Sequence, residues 1–209
     1  MTDLSFHNDL RTRIEGNLSA FERRPIEDAS LRHAAVAIVI VEGGDGQAAL
    51  LLTTRPAGLR RHGGQYALPG GRLDEGEMAA AAALRELEEE LGLTLGEDRI
   101  MGELDDYSTR SGFRITPIIV WGSDAGAIHP DRQEVDQVYH IPLADLLSPD
   151  IPHLEAGPGE YPILSAPLAT LGHQVFAPTA AMLYQFREVA LLGLDTRVAH
   201  YDQPAFAWK

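Results

Sequence analysis

The stretch GRLDEGEMAAAAALRELEEELGL, Gly71 to Leu93, decides the fold because it encodes a helix with two different faces. At roughly 100° per residue, one stripe of this helix collects apolar side chains, those of Ala80, Ala83, Leu84, Leu87 and Leu91. A different face collects three carboxylates, those of Glu86, Glu89 and Glu90. One side is therefore suited to a hydrophobic core, and another concentrates negative charge.

The acidic face is unfavourable on its own. Glu86 and Glu90 form a like-charge pair one turn apart, which costs a few tenths of a kcal/mol. Both lie near the C-terminal end of the helix, marked by Gly92, where the helix dipole disfavours anions. A divalent cation would offset this repulsion, since hard cations such as Mg²⁺ take oxygen ligands. On composition alone, a solvated acidic face is the alternative interpretation.

The spacing of these residues separates the two interpretations. The pattern G-x5-E-x7-R-E-L-x-E-E-x-G-L is met at every specified position, namely Gly71, Glu77, Arg85, Glu86, Leu87, Glu89, Glu90, Gly92 and Leu93. This pattern resembles the Nudix box, the signature of hydrolases that act on nucleoside diphosphates linked to another moiety. The resemblance covers residues 33–147 well. It implies an α+β fold of the Nudix type, an α/β/α sandwich with a mixed β-sheet.

The resemblance also implies roles for the acidic helix. Glu86, Glu89 and Glu90 would hold the essential metal ions, Mg²⁺ or Mn²⁺, and we expect Glu86 and Glu89 to act in catalysis. Arg85 lies four residues before Glu89 and would hold a carboxylate in a fixed orientation. An ordinary surface ion pair is the alternative for Arg85. Glu77 projects away from the cluster on an ideal helix, so we expect it to be structural, near the helix N-terminus.

A general base is expected elsewhere in the chain. Hydrolysis of a phosphoric anhydride requires that charge on the phosphoryl oxygens be neutralised and that a water be deprotonated. Family members often recruit an acid from a later loop for the second task. Glu134 is the best placed by chain order, and Asp131 and Asp136 remain alternatives.

The segment before the box, LLTTRPAGLRRHGGQYALPGG from Leu51 to Gly71, is a basic cluster in an acidic protein. A solvated loop is the alternative on composition alone. The segment resembles the motif L-L-T-x-R-[SA]-x3-R-x3-G-x3-F-P-G-G of coenzyme A pyrophosphatases, with departures at Pro56 and Leu68. This resemblance implies that coenzyme A (CoA) or a derivative is cut to 4′-phosphopantetheine, or its acyl form, and adenosine 3′,5′-bisphosphate. The residues expected to bind this substrate are Arg55, Arg60, His62, Gly70 and Gly71.

Two other functions remain open from the sequence. One is a Nudix enzyme that prefers ADP-ribose, NADH or another nucleoside diphosphate derivative, against which the upstream motif argues. The other is a non-catalytic ligand-binding module of Nudix type. Such a module is expected to have lost metal-ligand glutamates, and all three are present here.

Composition bounds the remaining possibilities. With 209 residues and a formal charge of −14, we expect one domain, preceded by an N-terminal helix and linker over residues 1–32, with the Nudix domain over 33–209. The charge argues against non-specific nucleic-acid binding. The absence of cysteine, of an 18-residue apolar run and of a secretory signal predicts a cytoplasmic protein without disulfides or membrane spans. The N-terminal helix or the last third could form a homodimer surface.

The hydrophobic pattern predicts the other elements. We expect an N-terminal helix over residues 3–22, a hairpin of strands 33–41 and 48–54, a strand over 113–121, a loop over 148–162 and a final helix over 178–194. Pro117, inside the third of these strands, suggests an edge strand or a bulge.

Overall fold

The structure is a computed structural model that describes residues 3–56, 64–122, 127–157 and 159–207. Within these ranges, one mixed sheet contains the strands β1 (Arg32–Glu42), β2 (Ala48–Thr54), β3 (Tyr66–Ala67), β4 (Gly70–Arg72), β5 (Ile100–Glu103), β6 (Tyr107–Ser108), β7 (Phe113–Trp121) and β8 (Gln137–Pro142). A second, antiparallel sheet contains β9 (His153–Glu155), β10 (Ile163–Leu168) and β11 (His173–Phe176). The helices are α1 (Asn8–Ala20), α2 (Ala79–Leu91), α3 (Leu143–Leu146) and α4 (Thr179–Phe186).

Strand β1 organises the mixed sheet. It pairs antiparallel with β2, in the expected hairpin, and with β4, where Ala35 lies opposite Gly71. On its other side it pairs parallel with β7 along nine residue positions, from Arg32 opposite Phe113 to Ile40 opposite Trp121. Because the two strands of this parallel pair are far apart in sequence, the centre of the sheet depends on a long-range contact.

Alternation along β1 divides the core into two layers. Ala37 and Val39 face α2 and pack in one buried cluster with its apolar stripe. Ile38 and Ile40 face the other way, into a cluster that contains buried residues of α1 and α4. Helices therefore cover both faces of a mixed sheet. The predicted α+β architecture, an α/β/α sandwich, is confirmed.

Helix α2 has the amphipathic character predicted from its sequence. Ala83, Leu87 and Leu91 are buried, as is Ala82. Gly92 ends the helix with φ of 68°, and its N–H donates to the carbonyl of Glu88 at 2.9 Å. This left-handed turn fixes the C-terminal end close to the three glutamates.

Four predicted elements differ from the structure. Strand β7 pairs with β1 on one side and with β5 and β6 on the other, so Pro117 does not mark an edge. Pro117 lies opposite residues 104–106, which separate β5 from β6, so its missing N–H breaks no strand pairing there. The expected loop over 148–162 contains β9. Helix α1 is shorter than expected, and α4 passes into a π-helical turn at Arg187–Leu191. In the described ranges no helix has the length and hydrophobicity required to cross a bilayer.

Candidate active site

A cleft of about 460 Å³ is lined by strands of the mixed sheet, by Glu86 and Glu90 of α2 and by residues from the C-terminal part of the chain. Its floor is apolar and is formed by Ala34 and Val36 of β1 and Ile115 of β7. Met182 of α4 and Gln203 also line the cleft. The cleft is therefore built from strands at the centre of the fold and from the C-terminal part of the chain.

The two glycines of β4 bring two carboxylates of α2 to this cleft. The N–H of Gly70 donates to Oε2 of Glu90 at 3.2 Å. A Cβ on Gly71 would lie only 2.2 Å from Oε1 of Glu86, and a Cβ on Gly70 would lie 2.3 Å from the carbonyl oxygen of Ala35. Gly70 also has φ of 153°, which disfavours other residues. Glycine is required at both positions because the carboxylates and the β1 backbone occupy the side-chain space.

Burial makes the carboxylates at the cleft unusual. Glu90 is 5% exposed, and burial raises its pKa to about 8, while Arg55 opposes the shift and Glu86 and Glu134 add to it. Burial also raises the pKa of Glu86, against the hydrogen bond that it accepts from Arg85. Both shifts show that negative charge at this position lacks full compensation from the protein. A bound cation would stabilise it.

Arg85 fixes the acidic cluster through hydrogen bonds to five oxygen atoms. It donates to both carboxylate oxygens of Glu77, at 2.9 and 3.1 Å, and to Oε1 of Glu86 at 2.8 Å. It also donates to Oε2 of Glu89 at 3.0 Å and to the carbonyl oxygen of Arg72 at 3.0 Å. The hydrogen bond with Glu77 is the main cause that raises the pKa of Arg85. Arg85 therefore remains charged and holds Glu86 in a fixed orientation.

The contact between Arg85 and Glu89 was expected, whereas the contact with Glu77 was not. Helix α2 begins at Ala79, so Glu77 precedes it and does not follow the ideal helical position. The N–H of Asp74 donates to Glu77 at 2.8 Å, and this turn directs the Glu77 carboxylate to Arg85.

The predicted metal ligands are only partly brought together. Glu86, Glu90 and Glu134 line the same cleft, but Glu89 does not line it, and its side chain is 57% exposed. Across the described ranges, no three His, Asp or Glu side chains are already arranged to hold a metal ion. The donor set nevertheless fits a hard divalent cation, because carboxylate oxygens converge here with uncompensated charge. The role of Glu89 as a ligand stays a prediction.

The other predicted residues fall in different places. Arg55 lines the cleft. Asp131 accepts a hydrogen bond from the N–H of Gln133 and, like Asp136, does not line the cleft, so Glu134 is the only one of the three candidate bases that does. Arg60 and His62 lie outside the described residues.

Sequence reasoning missed part of the lining. The cleft also contains residues that strand pairing and the C-terminal segment bring in from afar, namely Thr109, Ser111, Phe113, Met182 and Gln203. Arg72 lines it too; the sequence places this residue just beyond the basic cluster but does not single it out as a substrate-binding residue. Knowledge of the pairing register between β7 and β1 would have placed Phe113 at the cleft. No local pattern marks Gln203.

The fold and the acidic helix together define a Nudix domain. The model of the NUDIX domain family matches residues 31–164, more than half of the chain, and the chain belongs to this family. It is a Nudix hydrolase, of a class that acts on nucleoside diphosphate derivatives and generally needs divalent cations.

Curated relatives carry the same family name, and solved structures share the fold. The uncharacterized Nudix hydrolase NudL of Escherichia coli K12 is 37% identical over 143 residues, which cover 64% of this chain and 71% of NudL. NudL of Yersinia enterocolitica is 38% identical over 120 residues, 57% of this chain and 60% of that protein. A Nudix hydrolase from Alicyclobacillus acidocaldarius shares the fold, with a TM-score of 0.52, 18% identity and coverage of 77% of this chain and 91% of that one. A MutT/nudix family protein from Enterococcus faecalis has a TM-score of 0.51, 14% identity and coverage of 87% and 74%.

Proposed function

We propose that this Nudix hydrolase cleaves the diphosphate bond of coenzyme A and its derivatives. The products are adenosine 3′,5′-bisphosphate and 4′-phosphopantetheine or its acyl form, and the cation is Mg²⁺ or Mn²⁺. One observation carries the proposal: residues from both halves of the segment with the CoA-type motif line the cleft. Arg55 near its start and Gly70 and Gly71 at its end line the same cleft as Glu86 and Glu90 of α2.

The charges at the cleft suit a diphosphate only with a cation. Glu86, Glu90 and Glu134 would repel the substrate. A divalent cation held by Glu86 and Glu90, with Glu89 as the further predicted ligand, would neutralise the negative charge that develops on the phosphoryl oxygens. Arg55 lines the cleft, and we assign it to phosphate contact because a guanidinium can bind two phosphate oxygens at once.

Proton transfer is assigned to Glu134. Its carboxylate is exposed to solvent, lines the cleft, and lies near enough to Glu86 and Glu90 to raise the pKa of both. A solvated carboxylate in that position is able to accept a proton from an attacking water. Arg85 acts through Glu86, as a positioning residue. Arg60 and His62 remain predicted phosphate contacts.

Turnover on four substrates tests the proposal. CoA, dephospho-CoA, ADP-ribose and NADH are compared with Mg²⁺ and with Mn²⁺, and products are identified by mass. We expect CoA to be cut best. Glu86→Gln should lower kcat/KM by about 100-fold or more. Glu88→Gln is the matched control, because Glu88 lies on the same helix but is exposed, and its carboxylate accepts a hydrogen bond from the Thr94 hydroxyl and does not line the cleft.

Three outcomes separate the alternatives. Preferential cleavage of ADP-ribose or NADH would contradict the CoA assignment and leave the hydrolase class intact. Equal losses in Glu86→Gln and Glu88→Gln would remove Glu86 from the active site. Absence of turnover on all four substrates with either cation would favour the ligand-binding module.

A further inference from the structure

Arg72 is a second arginine of the cleft, and the proposed chemistry does not use its side chain. The residue is exposed and lines the cleft, and its carbonyl oxygen accepts a hydrogen bond from Arg85. Among the residues that the structure describes, no carboxylate lies within ion-pair distance of the Arg72 guanidinium. In a protein with a charge of −14, such a cation at the surface of a cleft is well suited to a phosphate.

The strand register places this cation away from the carboxylates. Gly70 lies opposite Val36 and Arg72 opposite Ala34, so β4 runs from the carboxylates toward the start of β1. Side chains of successive strand residues point to opposite faces of the sheet. Gly71 faces Glu86, so the side chain of Arg72 points to the face away from Glu86. The guanidinium of Arg72 lies 5.1 Å from the ring centroid of Phe113.

Phe113 gives this end of the cleft a fixed aromatic ring. The ring lines the cleft, and the guanidinium of Arg32 lies 3.8 Å from its centroid. Arg32 also donates to the carbonyl oxygen of Ser111 at 2.7 Å, but it does not line the cleft. An exposed guanidinium beside an aromatic ring presents one group for a phosphate and one surface for a nucleobase.

We propose that Arg72 and Phe113 form a subsite for a phosphomonoester on the nucleotide half of the substrate. This phosphate is separate from the diphosphate that is cut, because Arg72 extends away from Glu86 and Glu90. The inference rests on the proposed function, under which the phosphomonoester is the 3′-phosphate of CoA. It assigns discrimination between CoA and dephospho-CoA to Arg72.

The test compares Arg72→Met with Arg32→Met. Both variants remove one positive charge beside the same ring, but only Arg72 lines the cleft. Binding of adenosine 3′,5′-bisphosphate and of 5′-AMP is measured by calorimetry, which requires no turnover, and kcat/KM is measured for CoA and dephospho-CoA. Wild type should prefer the 3′-phosphorylated partner of each pair. Arg72→Met should reduce both preferences by about 10- to 100-fold, and Arg32→Met by less than about threefold.

The outcomes distinguish the subsite from the proposed function. Equal losses on CoA and dephospho-CoA in Arg72→Met, or the same loss of preference in Arg32→Met, would overturn the subsite. So would equal wild-type affinity for the bisphosphate and for AMP, even if CoA is cut. If ADP-ribose is instead the best substrate while Arg72→Met still abolishes the preference for the bisphosphate, the subsite stands and the CoA assignment fails.

Discussion

The substitution Gly71→Ala tests the close contact between β4 and the acidic helix. The added Cβ would lie 2.2 Å from Oε1 and 2.7 Å from Oε2 of Glu86, whereas ordinary contact begins at 3.4 Å. The carboxylate must therefore move by about 1 Å. Because it is the flexible end of a side chain, it moves in place of the backbone. It then gives up its hydrogen bond from Arg85, whose side chain is 28% exposed, so we expect a loss of about 1 kcal/mol, or roughly 2–4 °C in Tm.

The effect of Gly71→Ala on catalysis should be far larger than its effect on stability. A displacement of about 1 Å at a group that orients the reaction costs on the order of 100-fold in rate. The assay is kcat/KM on the best substrate, together with thermal unfolding. Gly16→Ala in α1 is the control, since its Cβ would meet nothing within 4 Å and alanine favours a helix. Retention of more than about a third of the wild-type kcat/KM would refute the reasoning, as would a collapse in Tm, because either would show that Glu86 does not absorb the clash.

Two further predictions concern single side chains. Arg85→Lys should lower kcat/KM at least about tenfold and Tm by roughly 2–4 °C, because an ammonium cannot serve the five oxygens that the guanidinium bonds; unchanged kcat/KM would contradict the positioning role. Burial, helped by the cation of Arg114, lowers the pKa of His33, so the folded state favours the neutral imidazole. That stability is present above the unfolded pKa of about 6.5 and is lost as the pH falls toward the folded pKa. The difference in Tm between wild type and His33→Asn should therefore decrease from about pH 7.5 to about pH 5.5, and a constant difference would count against it.

The acidic helix could be predicted because its information is local. The 3.6-residue period of α2 and the end of the helix at Gly92 can both be recognised from neighbouring residues in the sequence, and both are confirmed. The contact of Arg85 with Glu89 follows from helix geometry alone. The contact of Arg85 with Glu77 was missed because Glu77 lies in a turn before the helix, where the helical period does not apply.

The walls of the cleft could not be predicted because their information is non-local. Phe113 reaches the cleft through the parallel register of β7 on β1. Gln203 is held at the cleft by two hydrogen bonds: its backbone N–H donates to Oδ1 of Asp202 at 2.7 Å, and its carboxamide N–H donates to the carbonyl oxygen of Ser108 at 3.2 Å. Neither contact has a sequence period, and each is fixed only when distant segments meet. Of the two interpretations of Pro117, the edge strand was wrong for the same reason, since a strand's edge is a property of the sheet.

The division of the cleft between two parts of the chain has an evolutionary consequence. Glu86, Glu90 and the two glycines of β4 lie within residues 31–164, whereas Met182 and Gln203 lie beyond that range. A mutation in the C-terminal wall changes the shape presented to the substrate and leaves the carboxylates and Arg85 in place. Substitutions in this wall can therefore change which substrate fits without altering the groups proposed to act in hydrolysis. Related enzymes with the same acidic helix are expected to differ in substrate through this wall first.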